Sequence, residues 1–156
     1  MYNDAAKDHF YTISIFDEIE WSLSNNYTIQ DLNTALIFRF PTEATSLVPL
    51  YRLYQPATQT HLYTIDATFR QTLIANSQPP YIDEGSSDEF ADGAAGYVYR
   101  DGSCPGTVPL LWASNSLITD NYYTIDTAEY NSFVANGYTP KGTVAWVYPV
   151  RKYFCH

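Results

Sequence analysis

The stretch Pro49–Asn76, PLYRLYQPATQTHLYTIDATFRQTLIAN, decides the fold, because it returns without a gap as Pro109–Asn136, PLLWASNSLITDNYYTIDTAEYNSFVAN. Laid over each other, Pro49/Pro109, Leu50/Leu110, Tyr63/Tyr123, Thr64/Thr124, Ile65/Ile125, Asp66/Asp126, Ala75/Ala135 and Asn76/Asn136 are identical. The N-terminus carries a third copy of the middle, since Asp8-His9-Phe10-Tyr11-Thr12-Ile13 reads against Thr60-His61-Leu62-Tyr63-Thr64-Ile65. A repeated unit that cannot bury its apolar face alone must share a core with its neighbours. The expected organisation is a single domain over 1–156, with units of roughly 1–48, 49–108 and 109–148. The first unit lacks the strand that precedes the turn in the other two, and a C-terminal strand at 149–154 would complete it and close a ring.

Composition supports a packed β protein. Aromatic residues make up 17% of the 156 residues, with 15 tyrosines, and charged residues only 16%. Disordered chains have the opposite balance, and Tyr, Thr, Val and Phe favour strands. The formal net charge of −9 argues against nucleic acid, which needs a basic footprint. It disfavours anionic membranes as well, and no apolar run approaches the roughly 18 residues of a membrane span. The polar N-terminus lacks a signal peptide's apolar stretch. Either the protein is cytoplasmic or released by a non-classical route, or a leader has been removed. Cys104 and Cys155 could pair or stand as two free thiols, and no metal-ligand spacing occurs, so no metal or cofactor is expected.

Along each unit the HxYTI strand is followed by a stretch with helical signals. Asp126 can cap, with Glu129 placed for a capping box. Trp21, Leu73 and Phe133 share a register as apolar anchors. A short third strand follows around Tyr27, Tyr81 and Tyr138, then a fourth in which Phe38/Tyr97/Trp146 and Phe40/Tyr99/Tyr148 fall on one face by the period of two. Four short strands per unit, three units and ring closure predict an all-β fold, a β-trefoil with pseudo-threefold repeats and short helical inserts. A three-bladed propeller has the same strand count, but blades commonly number four or more.

The units resemble a bacterial and fungal repeat family known mainly as a domain of unknown function, with a segment of the type L-Y-R-x-Y-N-P-x-T-G-x-H-F-Y-T, a helix ending in I-A-N and a closing A-x-Y-V-Y. The matching residues are 50–58, His61-Leu62-Tyr63-Thr64, Ile74-Ala75-Asn76 and Ala95-Gly96-Tyr97-Val98-Tyr99. The third unit departs from the pattern, with Asn121 for His and Trp112 for Arg. The resemblance transfers no catalytic residue. Such repeats often accompany secreted hydrolases, and a chain of three also resembles the small lectins of fungal fruiting bodies. The implied function is non-catalytic, multivalent recognition of glycans or glycoproteins.

No GxSxG, HExxH or Gly-rich phosphate loop occurs, and degenerate copies of one unit suit binding better than a single catalytic constellation. His9, His61 and Asn121 occupy one position, where each can tie its turn to its strand or contact a sugar hydroxyl. Trp112 stands where Arg52 and Lys152 stand in the other units, which implies an exposed face. There the indole either stacks on a pyranose or covers the core rim. The expected carbohydrate sites are Asp4, Asp8 and His9 in the first unit, Arg52, Tyr54 and His61 in the second, and Trp112, Asn115, Asp120 and Asn121 in the third. Single shallow sites bind weakly, so multivalency would matter. A protease inhibitor acting through the acidic loop 83–96 is the competing reading, and a structural or targeting module is another. The aromatic surplus leaves room for a homodimer interface.

Overall fold

The computed structural model describes residues 1–13, 15–30, 35–85 and 93–149. In chain order the elements are β1 (Tyr2–Asn3), β2 (Asp8–His9), α1 (Ile15–Ser24), β3 (Ala35–Leu36), β4 (Leu47–Gln55), β5 (Thr60–Thr64), α2 (Ala67–Asn76), β6 (Ile82–Asp83), β7 (Ala94–Tyr99), β8 (Val108–Asn115), β9 (Asp120–Thr124), α3 (Thr127–Ala135) and β10 (Thr139–Pro149). Among the described residues the protein is mostly β with three short helices. Among the described residues, no helix is long and apolar enough to cross a membrane.

The main sheet is open and runs β5-β4-β7-β10-β8-β9, with β3 beside β10 and β6 beside β4. The first unit does not lack the strand before its turn, because β1 pairs with β2 as a separate hairpin, and Tyr2 also bridges to Thr28. The ring closure expected from 149–154 falls outside the described residues except for Pro149, which pairs with Ala35. In the third unit the expected third and fourth strands are one continuous β10, irregular between Pro140 and Gly142 and again between Thr143 and Ala145.

The three hairpins β1–β2, β4–β5 and β8–β9 turn alike. Each four-residue turn ends in a left-handed residue, namely Lys7 (φ 56), Gln59 (φ 55) and Thr119 (φ 59). A non-glycine residue there costs about 1–2 kcal/mol, so side chains must hold the turn. Asn3 accepts from the amides of Ala5 and Ala6, Asn115 accepts from Leu117, and Gln55 accepts the Thr58 hydroxyl.

The helices form where the sequence signals them. Asp66 and Asp126 cap α2 and α3, each accepting two amides of the first turn. The capping box at Glu129 does not close back on Asp126. Its carboxylate takes the Thr124 hydroxyl, and Thr124 takes the Asp126 amide. Neither helix has a fully buried residue, so both lie on the surface against the hairpins.

The core is built from Leu50, Ala95, Val98, Leu110, Ala145 and Val147 around Tyr63 and Tyr123. Tyr11, Tyr63 and Tyr123 close a ring. The Tyr11 amide donates to Tyr63 Oη (3.0 Å), which donates to Tyr11 O (2.8 Å). The Tyr63 amide donates to Tyr123 Oη (2.9 Å), which donates to Tyr63 O (3.0 Å), and the Tyr123 amide donates to Tyr11 Oη (3.0 Å). The rings meet edge to face at 5.4–5.7 Å. β5 and β9 are the ends of the sheet, where backbone groups would otherwise lack ladder partners. The phenols supply those partners, and burial pushes all three phenol pKa values upward.

Candidate functional site

The tyrosine ring brings the three turn positions together, and there the units interlock. Asp8, on β2, is fully buried and accepts the His61 amide (2.8 Å), His61 Nδ1 (2.5 Å) and the Tyr27 hydroxyl (2.6 Å). Asp120, on β9, is 1% exposed and does the same for the first unit. It accepts the His9 amide (3.0 Å), His9 Nδ1 (2.7 Å) and the Tyr138 hydroxyl (2.5 Å). A carboxylate can only accept, so in both pairs Nδ1 carries a proton and Nε2 is left to define what the histidine can do. In the remaining copy Thr60 replaces the aspartate. Its side chain hydrogen-bonds the Tyr81 phenol and meets Thr58 Oγ1 at 2.9 Å. Asn121 replaces the histidine, giving its amide to His61 O (2.9 Å) and accepting the Trp112 indole N–H (3.1 Å).

The two histidines differ at Nε2. His61 has no exposed surface, and its Nε2 meets Glu84 Oε2 at 2.7 Å. Burial opposes its charge, but the Asp8 and Glu84 carboxylates outweigh burial and raise its pKa above the ordinary imidazole value. His9 is 6% exposed, and its Nε2 has no hydrogen-bond partner among the described residues. It lines a cleft of about 370 Å³, together with Tyr122, Phe133, Glu129, Thr124 and Gln30. Tyr122 and Phe133 stack at 3.7 Å and 10° to form one wall, with the imidazole edge-on to Tyr122 at 4.9 Å. Gln30 follows Tyr27 by three residues, as Glu84 follows Tyr81. The residue that closes His61 therefore has an uncharged counterpart beside His9.

The expected contact residues come together only in part, and most lie inside. Asp8, His9, His61, Asp120 and Asn121 converge as a lock between units, with each histidine held by an aspartate of another unit and not tied to its own turn. Arg52 corrects the expectation of an exposed face. It is 2% exposed, with Nε donating to Glu84 O at 2.5 Å and its guanidinium 4.8 Å from the Phe10 ring centroid. Trp112 is half-buried, parallel to Tyr123 at 6.0 Å, with the Lys141 ammonium 5.9 Å from its centroid and its N–H held by Asn121. Asn115 is spent on its turn, and exposed Asp4 pairs with Lys7 at 2.6 Å. Tyr54 is half-buried, 4.9 Å from the His61 ring.

Sequence reasoning passed over Tyr27, Tyr138, Gln30, Glu84, Tyr122, Glu129 and Phe133 as site residues. Their signal was internal: where one unit carries Asp at the turn its neighbour carries His, and where it carries Thr the neighbour carries Asn. Cys104 is a free thiol 3.0 Å from the Tyr148 hydroxyl, and Cys155 lies outside the described residues. Half of the loop 83–96, residues 86–92, lies outside them too. Among the described residues no cluster of three or more His, Cys, Asp or Glu could hold a metal ion.

The model of a family described as Domain of unknown function (DUF5648) matches residues 1–148. No curated protein and no solved structure matches the chain.

Proposed function

This chain belongs to the DUF5648 family, and since membership assigns no activity, we propose from the geometry that it is a non-catalytic carbohydrate-binding protein. The observation that carries the reading is the cleft at His9, where a nearly buried imidazole presents an unpartnered nitrogen. A sugar needs an apolar ring face for its C–H groups and a few acceptors and donors for adjacent hydroxyls. Phe133 and Tyr122 offer the former, and His9 Nε2, the Glu129 carboxylate and the Gln30 amide offer the latter. Pockets of this size, with few convergent polar groups, are the usual form of a small-molecule site. The absence of chemistry is part of the proposal. The cleft's hydroxyls are engaged internally, Thr124 on Glu129 and Tyr11 on the Tyr123 amide, so His9 has no evident nucleophile to activate.

The proposed ligands are glycans or glycoproteins, and the net charge of −9 suits neither nucleic acid nor an anionic membrane as partner. The three units are read as pseudo-threefold copies in a trefoil-like arrangement about the tyrosine ring, as in the lectins that the repeats resemble. The recurrence of one turn and one Asp–His lock supports that relation.

A glycan-array screen tests the function, with His9→Asn and Trp112→Ala alongside. Asn at position 9 keeps a donor for Asp120 and removes Nε2. The wild type should bind a coherent set of glycans. His9→Asn should lose about tenfold in affinity, the worth of one hydrogen bond of about 1–1.5 kcal/mol. Trp112→Ala should keep the pattern. A blank array would remove the reading.

A further inference from the structure

The second unit contains the same histidine as the first, closed by an acid of its own. We propose that His61 and Arg52 form a subsite for a carboxylate-bearing sugar, which Glu84 occupies as an internal stand-in. This ligand class rests on the carbohydrate reading, whereas the carboxylate chemistry does not.

Glu84 Oε2 lies 2.7 Å from His61 Nε2 and 3.6 Å from Arg52 Nε. An oxygen so placed is held by one hydrogen bond and a second cation, the way a bound carboxylate is held. The two hosts are rigid. His61 is fixed by Asp8 at Nδ1 and at its amide, and Arg52 by the carbonyl of Glu84 and the face of Phe10. The Glu84 side chain is the member that reaches solvent, with 23% of its surface exposed, while His61 and Arg52 are buried. The half-buried ring of Tyr54 lies 4.9 Å from the His61 ring on the same site. An aromatic ring beside an imidazole and a guanidinium suits a pyranose that bears a carboxylate.

The first unit shows the open alternative. Gln30 stands three residues after Tyr27, and His9 Nε2 faces a cleft. Position 84 therefore decides whether a histidine of this kind is available. Wild-type protein has one open neutral-sugar cleft and one acidic-sugar subsite in which ligand competes with Glu84.

The test uses the whole chain and Glu84→Ala, with Glu84→Gln as the milder variant should alanine impair folding. Diethyl pyrocarbonate, mapped by mass spectrometry, reads access to each imidazole. Wild type should react at His9 and not at His61, and the Glu84 variants should react at both. Sodium acetate should protect His61 in the variants and raise their melting temperature, while leaving wild type unchanged. Methyl glucuronide should bind Glu84→Ala at least tenfold tighter than wild type, and methyl glucoside should show no such gain. Reaction of His61 in wild type, or no acetate effect in variants with native circular dichroism, overturns the subsite. Acetate rescue without binding of methyl glucuronide keeps the carboxylate site and overturns its assignment to sugars. A blank array beside successful acetate rescue removes the glycan function and not the subsite.

Discussion

His9 and His61 share a turn, a strand position and a buried aspartate from another unit, yet one ends in a cleft and the other against a carboxylate. The shared half is structural. A buried aspartate accepting an imidazole, an amide and a phenol fixes one unit against the next, and its geometry hardly varies between Asp8 and Asp120. The differing half lies at Nε2, which meets Glu84 in His61 and faces a cleft lined by Gln30 in His9. A repeated scaffold can thus keep its lock and change what each copy offers to solvent.

The comparison breaks most visibly at the aspartates. Asp8→Ala should cost about 3–5 kcal/mol in urea unfolding, the usual result of stripping one partner from a buried pair. Asp120→Ala should cost less, because His9 is not pinned at both nitrogens. Equal losses would mean that Glu84 adds nothing to the His61 lock.

The pH dependence comes next. The folded-state pKa of His61 is raised. Its contribution to stability is therefore complete below the unfolded imidazole value of about 6.5 and is lost as pH rises through the higher folded value. Denaturation midpoints should fall on the alkaline side of neutrality. The fall should vanish in His61→Gln and persist in His9→Asn. A slope that survives His61→Gln belongs to another group.

The smallest change in stability and the sharpest in function is expected from Gln30→Glu. It gives the first unit the plug of the second. Array binding should drop to background, and the melting temperature should gain an alkaline sensitivity like that of His61. Unchanged binding would separate position 30 from the cleft.

Much of the fold was legible because repeats constrain one another. The helices could be placed from Asp126 and the shared register of Leu73 and Phe133. The site was less legible, because its bonds cross between units. Asp8 serves His61, more than fifty residues away, and Asp120 serves His9 across 111 residues. No spacing rule within a unit reveals such pairs. Arg52 was misplaced for a related reason. The face shared with Trp112 reads as exposed because Arg52 and Lys152 stand on it, but Arg52 found the Glu84 carbonyl and the Phe10 face, so a charged residue could be buried there. Trp112 likewise turned its N–H toward Asn121, a partner that exists only because the histidine is absent from that unit.

The tyrosine ring has a consequence for how the chain exchanges protons with water. The amides of Tyr11, Tyr63 and Tyr123 are each capped by a hydroxyl from a different unit. None of them is shielded by its own hairpin alone. Opening any one unit uncaps an amide in another, so the three amides should exchange deuterium together, at the rate of the whole molecule's opening. A repeat array of stacked, separable modules would let its end units exchange first. Simultaneous exchange would mark three similar sequences, joined by the ring, as a single cooperative unit.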